Sequence, residues 1–218
     1  MQRRGTTPQM VGRYPDYDVL DSADSWDAAT QRVIELRMQL SSRRLTFFTA
    51  AEEPTLRAFC DVAMAQDAAP RVPVAEMVDE TLSAGRLDGF QYVDMPDDRE
   101  TWHIVLRSLD ETAQRRYAAD SFADLDDQAR EAIIDDLAAG RLDGGSWATI
   151  NVKRAFSVCM RAILGAFYSH PWAWNEIGFG GPAYPRGYMR LGPLAVREPH
   201  EKRGATDEDP VAFVNDAR

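Results

Sequence analysis

Apolar residues recur along this chain at intervals of three and four, and no segment sustains the alternation of a half-buried strand. That period restricts the chain to helices. Trp26, Ala29, Val33, Leu36, Met38 and Leu40 follow Ser25, which has the form of an N-cap. Leu56, Phe59, Cys60, Ala63 and Met64 make a second stripe. Before it, Thr49-Ala50-Ala51-Glu52 has the form of a capping box, while Pro54 favours a start at the proline itself. Val74, Met77, Val78, Thr81 and Leu82 form a third stripe, with Pro73 in the first turn and Gly85 as its left-handed stop. A long helix is predicted from about Asp98 to Tyr117, with Trp102, Val105, Leu106, Leu109 and Ala113 on one face. Asp126 caps a fifth, carrying Ala129, Ile133, Ile134 and Leu137 and stopped by Gly140. Asn151 or Ser146 opens a sixth, with Val152, Phe156, Cys159, Met160, Ile163 and Phe167. The fold class is all-α: a bundle of about six helices with short loops, an ordered irregular Gly/Pro/aromatic loop near the C-terminus, and polar tails.

The 218 residues divide into an extended arm (1–21), a single helical domain (22–193) and a polar tail (194–218). A chain of this length buries roughly 70% of its unfolded surface and needs no metal or disulfide to hold it together. Thirty-five acidic residues against 25 basic ones leave a formal charge of −10, which repels phosphate and argues against general nucleic-acid binding. Cys60 and Cys159 lie on apolar helix faces and read as buried thiols. A mutual disulfide, or one to a partner, would need an oxidising compartment. His103, His170 and His200 are too dispersed for a zinc site. Arg3 and Arg4 lack the apolar stretch of a secretory or twin-arginine signal, and no run is long enough to span a bilayer. As written, the sequence predicts a cytoplasmic protein. A misassigned start codon, or a partner that carries the signal, would make it periplasmic or extracellular.

Ala84-Gly85-Arg86-Leu87-Asp88-Gly89 recurs as Ala139-Gly140-Arg141-Leu142-Asp143-Gly144. The likeness does not extend upstream of Glu76 and Glu131. It therefore predicts two similar helix stops and not a solenoid repeat. Asp126, Asp127, Asp135 and Asp136 read as a cap and a solvated face, not as paired catalytic carboxylates.

Helical periodicity stops between Ser169 and Pro193. Trp172, Trp174, Phe179, Tyr184 and Tyr188 there share 25 residues with five glycines and four prolines. Pro171, Pro182 and Pro185 oppose regular structure. Such a segment is ordered only if its aromatics are covered, by the protein's own bundle, by a second protein or around a ligand. Gly178-Phe179-Gly180-Gly181-Pro182-Ala183 matches G-x-G-x-x-A, with Glu198 twenty residues after Gly178. A dinucleotide fingerprint must follow a strand and open a helix, and neither is predicted here. No G-x-S-x-G, H-E-x-x-H or P-loop occurs. His170 could act as a base, but no obvious partner for it stands in the sequence.

Phe48-Thr49, Glu52 and Leu56, then Trp102, Leu106, Leu109 and Asp110, then Phe122, Leu125 and Gln128 run ahead of a more specific ending. That ending is Tyr168, Pro171, Gly180-Gly181, Tyr188 and Gly192. Over 47–192 the chain resembles the gluconate 2-dehydrogenase subunit 3 (small, gamma) family, in a form like its actinobacterial members. It differs from the family at Met64-Ala65-Gln66 and Arg71-Val72-Pro73, and in showing no twin-arginine signal. The resemblance implies a non-catalytic accessory subunit that stabilises or chaperones a large FAD-dependent oxidoreductase of the glucose–methanol–choline type. That partner would oxidise a sugar, sugar acid or glycoside and hold the FAD, and a cytochrome c subunit carrying haem c often joins such complexes. The implied partner surface comprises Tyr168, His170, Pro171, Trp172, Trp174, Phe179, Gly180, Gly181, Tyr184 and Tyr188, and the chain itself would carry no cofactor. Two other readings stay open: a free-standing helical protein that binds a small ligand, and an independent enzyme using His170.

Overall fold

The computed structural model describes residues 18–67, 69–86, 89–177, 179–182 and 184. The arm before Asp18 and the tail after Tyr184 lie outside them. The described residues form seven α-helices joined by 3₁₀ turns and contain no strand. The helices are α1 (Ala28–Gln39), α2 (Glu53–Ala63), α3 (Val74–Ser83), α4 (Asp98–Tyr117), α5 (Asp127–Ala139), α6 (Val152–Tyr168) and α7 (Pro171–Ile177). They fall into two compact units, 39–168 and a second made from both ends of the chain, 1–38 with 169–218.

In the larger unit α2 and α6 pack on each other, and each packs on α3, α4 and α5. The predicted stripes supply the core. Leu56, Phe59, Trp102, Val105, Leu106, Leu109, Ala113, Ile133, Leu137 and Ile163 are sealed from solvent, each large apolar side chain contributing about 1.5–3 kcal/mol. Cys60 and Cys159 are buried and unbonded, and burial pushes both thiols far above the ordinary cysteine range.

The helix ends follow local chemistry. Thr49 and Glu52 do form the reciprocal box: the Thr49 N–H donates to Glu52 Oε2 (2.9 Å) and the Glu52 N–H to Thr49 Oγ1 (3.3 Å). The regular helix nonetheless starts at Glu53, with Pro54 in its first turn, so both features of the sequence are satisfied. Asp97, Asp126 and Asn151 cap α4, α5 and α6 through bonds from Glu100, Ala129 and Arg154 N–H. Gly85 and Gly140 take left-handed conformations, φ +65° and +70°. In each copy of the repeated hexapeptide the glycine N–H bonds three residues back, and the next arginine N–H five residues back. Arg86 and Arg141 then pair with Glu80 and Asp136 of the helix just ended. The repeat is a shared stop, as its short extent predicts.

Three expectations need correction. Ser25 does not open α1. A 3₁₀ turn runs from Val19 to Ser25, and Asp27 accepts from the Thr30 N–H (2.8 Å) at the true start. The predicted arm therefore ends in helical turns. Pro73 precedes α3 as its cap instead of lying in its first turn. The segment predicted to be irregular opens with a helix, α7. Pro171 stands at its first position, where the missing N–H costs nothing, and the other prolines fall after its end.

Connectors are fixed by carboxylates. Asp79 on α3 is fully buried. Its Oδ1 accepts from the Phe47 and Phe48 N–H groups (2.8 and 3.0 Å), and its Oδ2 accepts from the Thr46 N–H (2.9 Å). An Asp79→Asn variant keeps only one accepting oxygen and places an amide against peptide N–H groups. It is expected to lose about 2–3 kcal/mol, read as a lower urea midpoint at neutral pH.

Glu52 adds a pH dependence. Burial pushes its carboxyl up, but bonds from the Thr49 N–H, from His103 (2.6 Å) and from the Thr49 hydroxyl outweigh this and hold it below the ordinary 4.5. Its contribution is therefore complete above 4.5 and is lost as the pH falls through the lower folded-state value. Glu52→Ala should cost about 1 kcal/mol at neutral pH. The gap from wild type should close in acid-denaturation curves below the ordinary carboxylate range.

Candidate partner-binding segment

The aromatic segment begins at the end of α6. Tyr168 is half-exposed and meets Phe167 edge to face at 5.2 Å. His170 then turns the chain. It is buried, its Nδ1 accepts from the Trp172 N–H (3.2 Å) and its carbonyl from the Trp174 N–H (3.2 Å). The acceptor role places the ring proton on Nε2, and the ring packs edge-on to Trp172 at 5.0 Å. His170 and Pro171 thus start α7 between them, the histidine as acceptor and the proline with φ already set.

Trp174 points inward. It is 5% exposed and shares a small core with Val19, Trp26 and Ile34. Phe179 meets it edge to face at 5.6 Å, and the Phe179 N–H closes the helix on the Trp174 carbonyl (2.9 Å). The Arg37 guanidinium lies 6.0 Å from the Trp174 ring and donates to the Ser169 carbonyl (2.8 Å). Burial pulls the Arg37 pKa below the ordinary arginine value.

Asn175 ties this helix to the beginning of the chain. Fully buried, it accepts from the Val19 N–H through Oδ1 (2.7 Å) and donates through Nδ2 to Asp18 Oδ1 (3.3 Å). Asp18 Oδ1 also accepts from the Leu20 N–H (3.0 Å), and Gln31 Nε2 donates to the Ala23 carbonyl (2.9 Å). Gly181 completes the fit. At φ +79°, a Cβ there would lie 2.6 Å from Val19 Cγ2 and 3.1 Å from Trp26 Cζ2, so only glycine permits the approach.

Of the predicted surface residues, His170, Pro171, Trp174, Gly180 and Gly181 are buried and Trp172 is partly buried. Phe179 is 37% and Tyr184 65% exposed. Tyr188 lies outside the described residues. Asp18, Val19, Trp26, Arg37 and Asn175 carry as much of this arrangement, and sequence reasoning did not find them. Asn175 and Val19 are 156 positions apart, and no local pattern signals that pairing.

In the larger unit a cleft of about 250 Å³ is lined by Ser41, Arg57, Cys60, Asp61, Arg71 and Glu76. Its arginines are taken up by its own acids: Arg57 by Glu53 and Glu76, Arg71 by Asp61. Among the described residues no group of His, Cys, Asp and Glu side chains is arranged to hold a metal ion, and no helix is long and apolar enough to cross a membrane.

The profile of the gluconate 2-dehydrogenase subunit 3 family matches residues 50–181. The chain belongs to this family, whose members are accessory subunits of a dehydrogenase complex. No curated protein and no solved structure matches it.

The Asn175 clamp has a direct readout. Asn175→Ala removes the acceptor of the buried Val19 N–H, and amide exchange at Val19 and Leu20 is expected to speed up about tenfold or more. Unchanged protection would mean that the clamp does not hold the chain there.

Proposed function

We propose that this protein is a non-catalytic accessory subunit that binds and stabilises a large FAD-dependent oxidoreductase of the glucose–methanol–choline type through the 168–193 segment. The partner oxidises a sugar, sugar acid or glycoside, and a cytochrome c subunit takes its electrons. The reading is supported by family membership and by one observation above others. The segment divides its aromatics: Trp174 and Gly181 anchor it from within, while Phe179, packed edge to face on Trp174, and Tyr184 keep exposed surface. Aromatic rings held in place before binding lose little freedom when covered, which is what an interface centre needs.

Against an independent enzyme stands the state of His170. A general base must reach its substrate, and this one is buried with Nδ1 occupied by a backbone N–H. Against a small anionic ligand in the cleft beside α3 stands its electrostatics, since its guanidinium groups are already paired. A subunit that binds only the folded partner stabilises it by about 2.7 kcal/mol at a hundredfold excess over Kd.

Pull-down from the native host with the tagged wild-type chain should yield a yellow, flavin-bearing large subunit. Phe179→Ala and Tyr184→Ala should each weaken its capture about fivefold or more, with the far-UV circular dichroism of the isolated chain unchanged. Capture of no flavoprotein, or equal capture by both variants, would overturn the assignment.

A further inference from the structure

The chain has only two cysteines, Cys60 on α2 and Cys159 on α6. α2 and α6 pack on each other within the larger unit. Both residues lie on the faces that meet the core, Cys60 1% and Cys159 0% exposed. Cys159 also feels Cys60. After burial, the largest influence raising its thiol is the charge that a Cys60 thiolate would carry. Charges fall off with distance, so the two sulfurs share one neighbourhood of the core.

Helix geometry sets the separation that facing residues can have. Packed helices run roughly 8–10 Å axis to axis, and each Cα stands about 2.3 Å from its own axis. Cα atoms that face each other across such a contact are therefore roughly 3.4–5.4 Å apart, which overlaps the ~4.4–6.8 Å that a disulfide spans. Two residues scattered at random among the core positions would seldom share one helix contact.

In this structure the thiols are unbonded, and burial decides when they can react. The thiolate, not the thiol, attacks a disulfide. In the folded chain burial opposes that form at both residues. At Cys60 the carboxylates of Asp61 and Glu76 oppose it further, with Arg57 acting the other way. The window for reaction is the chain before its core closes, when both sulfurs meet solvent. A bond made then is out of a reductant's reach once the core has formed. The state of the pair thus records the conditions under which the chain folded.

We infer that Cys60 and Cys159 form a disulfide that staples α2 to α6 when the chain folds in the presence of a disulfide oxidant, and stay free thiols when it folds without one. One thiolate attacks the oxidant's disulfide and releases half of it as a thiol, leaving a mixed disulfide. The second thiolate displaces the other half. Two electrons pass to the oxidant, whose S–S bond gives way to two S–H bonds, while the chain exchanges two S–H bonds for one S–S bond. The staple closes a loop of about 100 residues, long enough to remove much of the freedom of the unfolded chain. It does not depend on the function proposed above.

The wild-type chain itself carries the test. It is unfolded and reduced, then refolded either with oxidised and reduced glutathione or with a reductant alone. After oxidative refolding the intact mass should fall by two hydrogens, and a non-reducing digest should yield one peptide pair joined through Cys60 and Cys159. At matched urea concentration the unfolded-to-folded ratio of the oxidised chain should lie roughly thirtyfold or more below that of the reduced chain. Chain that is folded first and then given oxidised glutathione should gain the bond about tenfold more slowly or slower still. The double variant Cys60→Ala, Cys159→Ala should unfold identically under both regimes. Unchanged mass, a glutathione adduct on either cysteine, a dimer linked between chains or an equal urea ratio would overturn the staple. Bond formation as fast in the folded chain as during refolding would overturn the claim that closure precedes burial.

Discussion

Helix-borne side chains that accept from the backbone of connectors hold this protein in its shape. Asp79 gathers three successive N–H groups ahead of α2. Asp110 takes the Phe122 N–H (2.9 Å) and the Thr55 hydroxyl (2.6 Å), and Glu111 secures the turn at Ser146. In the smaller unit Asn175 does the same for Val19. A buried peptide N–H left without an acceptor costs about 1–3 kcal/mol. Connectors between short helices can lie against a core only where such an acceptor waits for them. The acidity of the chain thus has two components, a solvated one and an internal one that is structural.

The same device shapes the aromatic segment. Trp174 and Gly181 face inward because the 3₁₀ turn at Val19–Ser25, tied down by Asn175, and Trp26 give them something to pack against. The residues left outside are then those a second protein could cover. Prolines in the sequence argued against regular structure there. Position within the turn mattered more than composition, since Pro171 at the first residue of a helix lacks only an N–H that would have had no partner.

The polar groups most suggestive of chemistry are taken up by the fold itself. The histidine of the segment serves as a helix-start acceptor, and the cleft beside α3 is closed electrostatically by its own ion pairs. Both cysteines sit inside, where burial keeps the thiols protonated and unreactive.

The sequence by itself determined the class of fold, because a period near 3.6 buries a helix face and nothing else. It also determined most helix ends, because caps and left-handed glycines act through bonds spanning three to five residues. The family was legible for the same reason, in local motifs such as the Thr49–Glu52 box and the Gly180-Gly181 pair. Only the tertiary structure decided which acids are anchors and which are solvated, for Asp79 and the exposed Asp135 look alike in a string of letters. It alone joined Asp18 and Val19 to Asn175. Those outcomes depend on what lies opposite a residue across the fold, and no local spacing encodes it.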